Sequence, residues 1–152
     1  MIPLKSFIKL PFPEKTLALR ALYWVIYIRV ILWIFPFNYV KKRVQQISRV
    51  SSPANGFSHN STSFSLPRIS FMVRMASRYV LRATCLVQAL AGHILFSKYG
   101  YDTQIKIGVS SEDGQFEAHA WLEREGDVVL GESEKDYKTI LDVNSGSQLD
   151  NG

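Results

Sequence analysis

Long apolar stretches and short polar breaks alternate along the chain, and the spacing of the apolar residues changes from one part to the next. Residues 17–37 are almost continuously apolar, which indicates a helix that Pro36 terminates. Arg20 and Arg29 lie inside this stretch, and a charged side chain is costly in the middle of a bilayer. We therefore expect a helix that is buried on most of its surface, with a membrane-associated helix as the alternative.

Helical spacing resumes after a polar segment. Residues 51–67 are rich in Ser, Asn, Gly and Pro, which is typical of a loop or flexible linker. Apolar residues at helical spacing then predict two further helices, over residues 69–81 and 85–99. Gly100 follows the second of these, and a glycine at that position is typical of a helix end.

Strand-like segments follow the helices. Apolar and β-branched residues predict strands over residues 103–109, 116–123 and 127–130. Turn-like residues at 111–115 and 125–126 separate these strands, which indicates antiparallel hairpins. A group of helices followed by an antiparallel sheet defines an α+β fold.

The same breaks divide the chain into four parts. We expect an N-terminal helical region (1–50), a Ser-rich linker (51–67), the main α+β domain (68–143) and a flexible polar tail (144–152). The chain has 152 residues with 47% apolar and 20% charged side chains, which is the composition of a globular protein with a real core.

Charge and special residues narrow the function. The net charge is +5, but the basic residues are scattered and no basic run alternates with aromatic residues, so we expect no nucleic-acid binding. One cysteine and three dispersed histidines lack the spacing of metal ligands, and no glycine-rich phosphate loop is present, so we expect no metal or cofactor. A single cysteine excludes an internal disulfide and fits a reducing compartment. With Pro11 and Pro13 interrupting any signal-peptide pattern, we expect a cytoplasmic protein.

Cys85 is the first candidate for chemistry. Thr84 is a plausible helix N-cap, which puts Cys85 in the first turn of the predicted helix. Unpaired N–H groups and the positive end of the helix dipole lower the pKa of a cysteine at that position. The same N–H groups can hold the oxyanion of an acyl intermediate, and Arg82 adds positive charge. A small buried core residue is the alternative interpretation, and position alone does not separate the two.

His119 is the candidate base. It lies on the strand FEAHAWLE, where alternation puts Glu117, His119 and Trp121 on one face and the apolar residues on the other, core-facing side. We take Trp121 and Glu117 as candidate substrate-binding residues because they share the face of His119. A histidine without a catalytic role remains the alternative for this position.

A carboxylate that accepts a hydrogen bond from the second ring nitrogen would orient the imidazole. We choose Glu132, at the end of the next strand, while Asp127 and Glu134 stay open as alternatives. His93 is a poor base for Cys85, because eight residues along one helix separate them by about 12 Å.

The order of these segments resembles the transglutaminase-like branch of the papain-type cysteine enzymes. Within that branch the chain looks like the lasso-peptide biosynthesis B proteins, the leader peptidases of the microcin-processing family. The segments that carry the resemblance follow the family's order, and Tyr137 and Leu141 resemble its tail. They are ATCLVQALA at 83–91, KYGYDTQIKIGV at 98–109, FEAHAWLE at 116–123 and VVLGE at 128–132.

The resemblance implies proteolysis. Proteins of this family remove the leader from a ribosomally made precursor, and a separate ATP-dependent lasso cyclase closes the ring on the freed amine. Cys85 matches the family's nucleophile, His119 its base and Glu132 its acidic third member, where many relatives have Asp. Stand-alone members obtain the leader-binding domain, the recognition element for such precursors, from a separate protein. The implied partners are thus the leader peptide, this leader-binding protein and the cyclase.

Three rival functions stay open. The chain could be a non-catalytic scaffold of the same fold, although the presence of both Cys85 and His119 argues against a degenerate member. It could be a membrane-associated component of a peptide-maturation complex, with peripheral membrane contact through residues 17–37. It could also be a transglutaminase-type acyl transferase, which crosslinks where a peptidase hydrolyses.

Overall fold

Helix α4, Cys85–Lys98, lies at the centre of the computed structural model, which describes residues 8–51, 64–112, 114–132 and 138–142. All residues from Ala89 to Ser97 on this helix are buried. Three other helices of the described chain surround it: α1 (Phe12–Ile34), α2 (Phe37–Ser51) and α3 (Leu66–Tyr79). A helix enclosed on all sides needs apolar residues around its whole circumference, which the segment CLVQALAGHILF provides.

Prolines fix both ends of α1. Pro13 lies in the first turn, where its missing N–H costs no hydrogen bond. Pro36 disfavours helical backbone at Phe35, which is extended (φ −116°, ψ 152°), so the helix ends at Ile34. Helix α1 packs against α3 and α4, and its buried stripe is Leu17, Ala21, Val25, Ile28 and Ile31.

The expectation that this helix is buried on most of its surface is wrong. Only 28% of its most apolar 18-residue window is buried, and by length and composition α1 could cross a membrane. An apolar sequence does not reveal how many neighbours a helix has. Here one stripe of α1 contacts the protein core, and apolar side chains also cover the opposite, outward face.

The sheet contains four described strands, β1 (Gln104–Glu112), β2 (Gln115–Arg124), β3 (Asp127–Leu130) and β4 (Lys138–Asp142). Their order is β3-β2-β1-β4, and all neighbours are antiparallel. Strand β2 is therefore central, and α4 packs against it. The two elements approach closely at Gly92, where an added Cβ would meet Leu130 Cδ2 at 2.5 Å and Leu122 Cδ1 at 3.1 Å.

A two-residue turn joins β2 to β3. Glu125 (φ 54°) and Gly126 (φ 90°) both have positive φ, which is the conformation of the tight hairpin turns that match strand twist. In this hairpin Leu122 pairs with Leu130, and both are buried. The turn at 125–126 was expected from the sequence and fixes how β3 lies beside β2.

The α+β fold expected from the sequence, helices followed by an antiparallel sheet, is confirmed. Helix α3 begins at Leu66, inside the predicted linker, because Pro67 occupies its first turn. On β2, Ala120 and Leu122 are buried as expected, but Phe116 and Ala118, which were expected on the same core-facing side, are exposed. The predicted domain boundaries stay predictions. Most of the predicted linker (residues 52–63) and the whole predicted tail (within residues 143–152) lie outside the described residues.

Candidate active site

Cys85 is the first residue of α4. Thr84 has extended backbone (φ −77°, ψ 170°) and occupies the N-cap position, although its side chain makes no capping hydrogen bond. The Cys85 thiol is free and half-buried, and the residue packs against the hydrophobic core. The sequence therefore located the start of this helix at the correct residue.

Backbone N–H groups surround this end of α4. The Gln88 N–H donates to the Thr84 carbonyl at 3.1 Å, which is the first hydrogen bond of the helix. The N–H groups of Cys85, Leu86 and Val87 precede it and have no acceptor within the helix. This is the arrangement that binds a developing negative charge beside a helix-start nucleophile.

The loop before α4 has a fixed and unusual conformation. The Ala83 N–H donates to the Val80 carbonyl at 3.2 Å, closing a tight turn. Arg82 within this turn has φ 60°, a left-handed conformation that costs a residue with a Cβ about 1–2 kcal/mol. On the other side of the loop, Arg29 Nε of α1 donates to the Leu81 carbonyl at 3.4 Å. Helix α1 thus contacts the segment that precedes the cysteine.

His119 lies in the middle of β2, opposite Gly108 of β1. Its ring is half-buried, and Nε2 lies 2.7 Å from the Gly131 carbonyl oxygen. A carbonyl oxygen can only accept, so Nε2 carries the proton in this contact. Nδ1 is then the nitrogen that can act as a base.

Gly131 reaches this position because it has no side chain. Its φ is +86°, and an added Cβ would lie 3.0 Å from the Ala120 carbonyl oxygen and 3.1 Å from Trp121 Cα. The chain leaving β3 therefore passes directly over β2, and this close approach brings the Gly131 carbonyl to the imidazole. Sequence reasoning missed Gly131; the available signal was a glycine immediately after a strand, within VVLGE.

The indole ring of Trp121 lies beside the imidazole ring of His119. The two rings are nearly parallel, with an interplanar angle of 17° and centroids 6.1 Å apart. Trp121 is only 8% exposed, and its Nε1 donates to Glu123 Oε1 at 2.7 Å. Glu117, two residues before His119, is exposed. The assignment of Trp121 and Glu117 to substrate binding stays a prediction.

Cys85 and His119 lie on two elements that pack together, α4 and β2. The pairing of these two residues in a proton relay stays a prediction.

Glu132 directly follows Gly131, whose carbonyl contacts His119, so the backbone of Glu132 lies close to the site. The side chain of Glu132 is exposed. Asp127 begins β3 and is also exposed. Glu134 lies outside the described residues. The choice of Glu132 as the acidic member stays a prediction.

His93 lies in the core, eight residues after Cys85 on α4. It is 4% exposed, and its Nδ1 lies 2.8 Å from Thr103 Oγ1. Burial lowers the pKa of His93 to about 4, against a smaller raising effect of the Asp102 carboxylate. The residue is therefore a neutral core histidine at neutral pH. Among residues 8–51, 64–112, 114–132 and 138–142, no three His, Cys, Asp or Glu side chains cluster as metal ligands.

Helix α4 begins with a cysteine and packs against an antiparallel sheet that carries a histidine, and these are the two residue types that cysteine-dependent acyl-transfer enzymes use. The model of the transglutaminase-like superfamily matches residues 30–142, so the chain belongs to that superfamily. The matched range contains Cys85, His119 and Glu132. No curated protein and no solved structure gives a significant match.

Proposed function

We propose that this protein is a cysteine peptidase that removes the leader from a ribosomally made lasso-peptide precursor. The superfamily contains both cysteine peptidases and acyltransferases. The observation that carries the choice of a cysteine enzyme is Cys85 at the first residue of α4, ahead of N–H groups with no acceptor within the helix. The resemblance of residues 83–91 and 116–123 to the B proteins supports the choice of a leader as substrate.

In the proposed mechanism, His119 accepts the thiol proton at Nδ1 while Nε2 donates to the Gly131 carbonyl. The thiolate attacks the scissile carbonyl carbon, and N–H groups at the start of α4 stabilise the oxyanion. The C–N bond then breaks, and His119 gives its proton to the amine of the departing core peptide. Water attacks the thioester, its proton passes to His119, and the leader leaves with a new carboxylate as the thiol is restored.

The partners implied by this function are a leader-binding protein, which delivers the precursor, and an ATP-dependent cyclase, which uses the freed amine. A peptidase without its own leader-binding module gains affinity when a partner holds the leader near the site, because binding becomes effectively intramolecular. These partners belong to the proposal.

The direct test compares Cys85→Ala and His119→Ala with the unchanged protein in cleavage of the cognate precursor, in the presence of the leader-binding protein. We expect the unchanged protein to release leader and core peptide, seen by mass spectrometry, and each variant to lose at least 100-fold in rate. Circular dichroism checks that the variants fold. Cleavage by Cys85→Ala at the original rate would contradict the peptidase mechanism.

A second measurement needs no precursor. Cys85 is the sole cysteine, so iodoacetamide labelling reports that one thiol. We expect His119→Ala to slow labelling at pH 7, because a thiolate reacts and a thiol does not. Equal labelling rates in the variant and the unchanged protein would mean that His119 does not activate Cys85. Slower labelling of the variant, with no cleavage of the precursor by the unchanged protein, would mean instead that the choice of substrate is wrong.

A further inference from the structure

Charge is divided very unevenly along the chain. Residues 1–101 contain fourteen Lys and Arg against one acidic residue, Glu14, a net charge of +13. Residues 102–152 contain four basic and twelve acidic residues, a net charge of −8. Glu14 itself is paired with Arg68. The helices therefore form a strongly cationic part of the molecule, and the described strands lie in the anionic part.

The outward face of α1 carries exposed apolar side chains. Residues 19, 23, 26, 30 and 33 are separated alternately by four and three positions, so they lie on one face of the helix. We call this set the outer stripe; its members are Leu19, Tyr23, Ile26, Val30 and Trp33. Trp33 is 80% exposed, and Phe12, seven residues before Leu19, is 83% exposed. The stripe extends for about 21 Å at 1.5 Å per residue.

Cations lie beside this stripe. Lys98 Nζ lies over the Trp24 ring at 5.2 Å, and Arg20 donates to the Tyr99 hydroxyl. Burial, and then the nearby Arg20 charge, lower the pKa of Lys98.

A third cation, Arg43 of α2, forms a hydrogen bond with Tyr27, which raises the pKa of its guanidinium. Tyr23 of the stripe contacts the rings of both Trp24 and Tyr27, with centroids 5.2 and 6.2 Å away. Aromatic side chains and cations thus occur together along one edge of the apolar surface.

We propose that the outer stripe of α1 docks this protein onto the surface of an anionic phospholipid membrane. An exposed apolar face with aromatic residues and flanking cations is what binds a helix in the plane of such a surface. The opposite face of α1 forms the protein core through Leu17, Val25 and Ile28, so α1 lies along the membrane rather than across it. This inference does not depend on the proposed peptidase activity.

Charge also argues against a symmetric dimer in which the helices of two copies meet. Two helical parts that each carry many cations and one carboxylate would repel when brought face to face. Anionic headgroups remove this repulsion, and the acyl region accepts the apolar side chains without a matching protein surface. The part of α1 before Val30 also precedes the range that the superfamily model matches, so most of the stripe is outside that shared domain.

Vesicle flotation with the full chain tests the proposal. We expect binding to phosphatidylcholine vesicles that contain phosphatidylglycerol, much weaker binding to phosphatidylcholine alone, and weakening as salt rises. The double variant Ile26→Ser with Trp33→Ser should lose more than tenfold in affinity for the vesicles. It removes two of the apolar side chains that become buried in the membrane when the protein binds. Neither side chain is in the core, so the fold should persist in this variant.

Phe116→Ser is the matched control. Phe116 is 74% exposed, but it lies on β2 in the anionic part of the molecule, so its variant should bind vesicles like the unchanged protein. Absence of binding to anionic vesicles at low salt would overturn the proposal, as would an equal loss in the control. A dimer in solution that Trp33→Ser dissociates, with vesicle binding unchanged, would assign the stripe to a second copy instead.

Discussion

At the scale of single residues, Gly131 has the most specific predicted effect. Gly131→Ala places a Cβ against the Ala120 carbonyl and Trp121, at a φ of +86°. The local backbone must move, and the carbonyl that accepts from His119 Nε2 moves with it. We expect at least a tenfold loss in precursor cleavage and slower labelling of Cys85 at pH 7, measured by mass spectrometry.

Gly126→Ala is the matched control, because Gly126 has φ +90° but no atom within 4 Å of an added Cβ. Both variants carry the cost of a left-handed residue, about 1–2 kcal/mol, so both should unfold at lower urea concentration. Only Gly131→Ala should change the chemistry. If both lose activity equally, the effect is one of stability and the carbonyl does not orient the histidine.

Glu132→Gln separates the neighbouring carboxylate from that carbonyl. The substitution removes the negative charge and leaves the Gly131 backbone in place, so we expect a smaller loss of cleavage rate than for Gly131→Ala. Full activity of Glu132→Ala would show that the predicted acidic member is wrong. A loss in kcat would indicate that the residue positions the base, whereas a rise in KM with unchanged kcat would indicate a role in substrate binding.

At the scale of elements, the contact between α4 and the sheet depends on Gly92. In Gly92→Ala the new Cβ overlaps Leu130 Cδ2 and crowds Leu122, and both leucines are fully enclosed. Overpacking costs about 1–3 kcal/mol, while alanine favours a helix over glycine by about 1 kcal/mol. We expect a net loss of about 1 kcal/mol in the free energy of unfolding, measured by urea titration.

Leu130→Val should relieve the overlap that Gly92→Ala creates, because it shortens the side chain that the new Cβ would meet. The double variant should be more stable than the sum of the two single effects predicts, because the residues are in direct contact. Strict additivity would mean that α4 does not touch β3 at this point.

Local patterns in the sequence predicted most of these elements, and their limits have physical causes. The N-terminus of α4 at Cys85 and the turn at 125–126 follow from capping and turn preferences, which act over a few residues. Strand β4 was missed because five residues, KTILD, carry little periodic signal and pair with β1 more than 25 residues earlier in the chain. The Gly131 carbonyl was missed because a backbone acceptor leaves no side-chain signature.

At the scale of the whole molecule, the sheet and the helices are joined through a buried histidine. His93 of α4 contacts Thr103, just before β1, and is 4% exposed. Its pKa of about 4, against 6.5 in the unfolded chain, means that the folded protein binds this proton less readily than the unfolded chain. Well above pH 6.5 the histidine is neutral in both states and adds no pH dependence to stability.

Between pH 6.5 and 4 the unfolded chain gains this proton first, so the free energy of unfolding should fall as pH falls, by at most about 1.4 kcal/mol per unit. Below pH 4 the effect levels off. His93→Gln can keep a hydrogen bond to Thr103 but does not titrate, so urea titrations at pH 7, 6, 5 and 4 should give it a shallower slope than the unchanged protein. Identical slopes would mean that the pKa of His93 is the same in the folded and the unfolded protein, and that its burial does not make stability depend on pH.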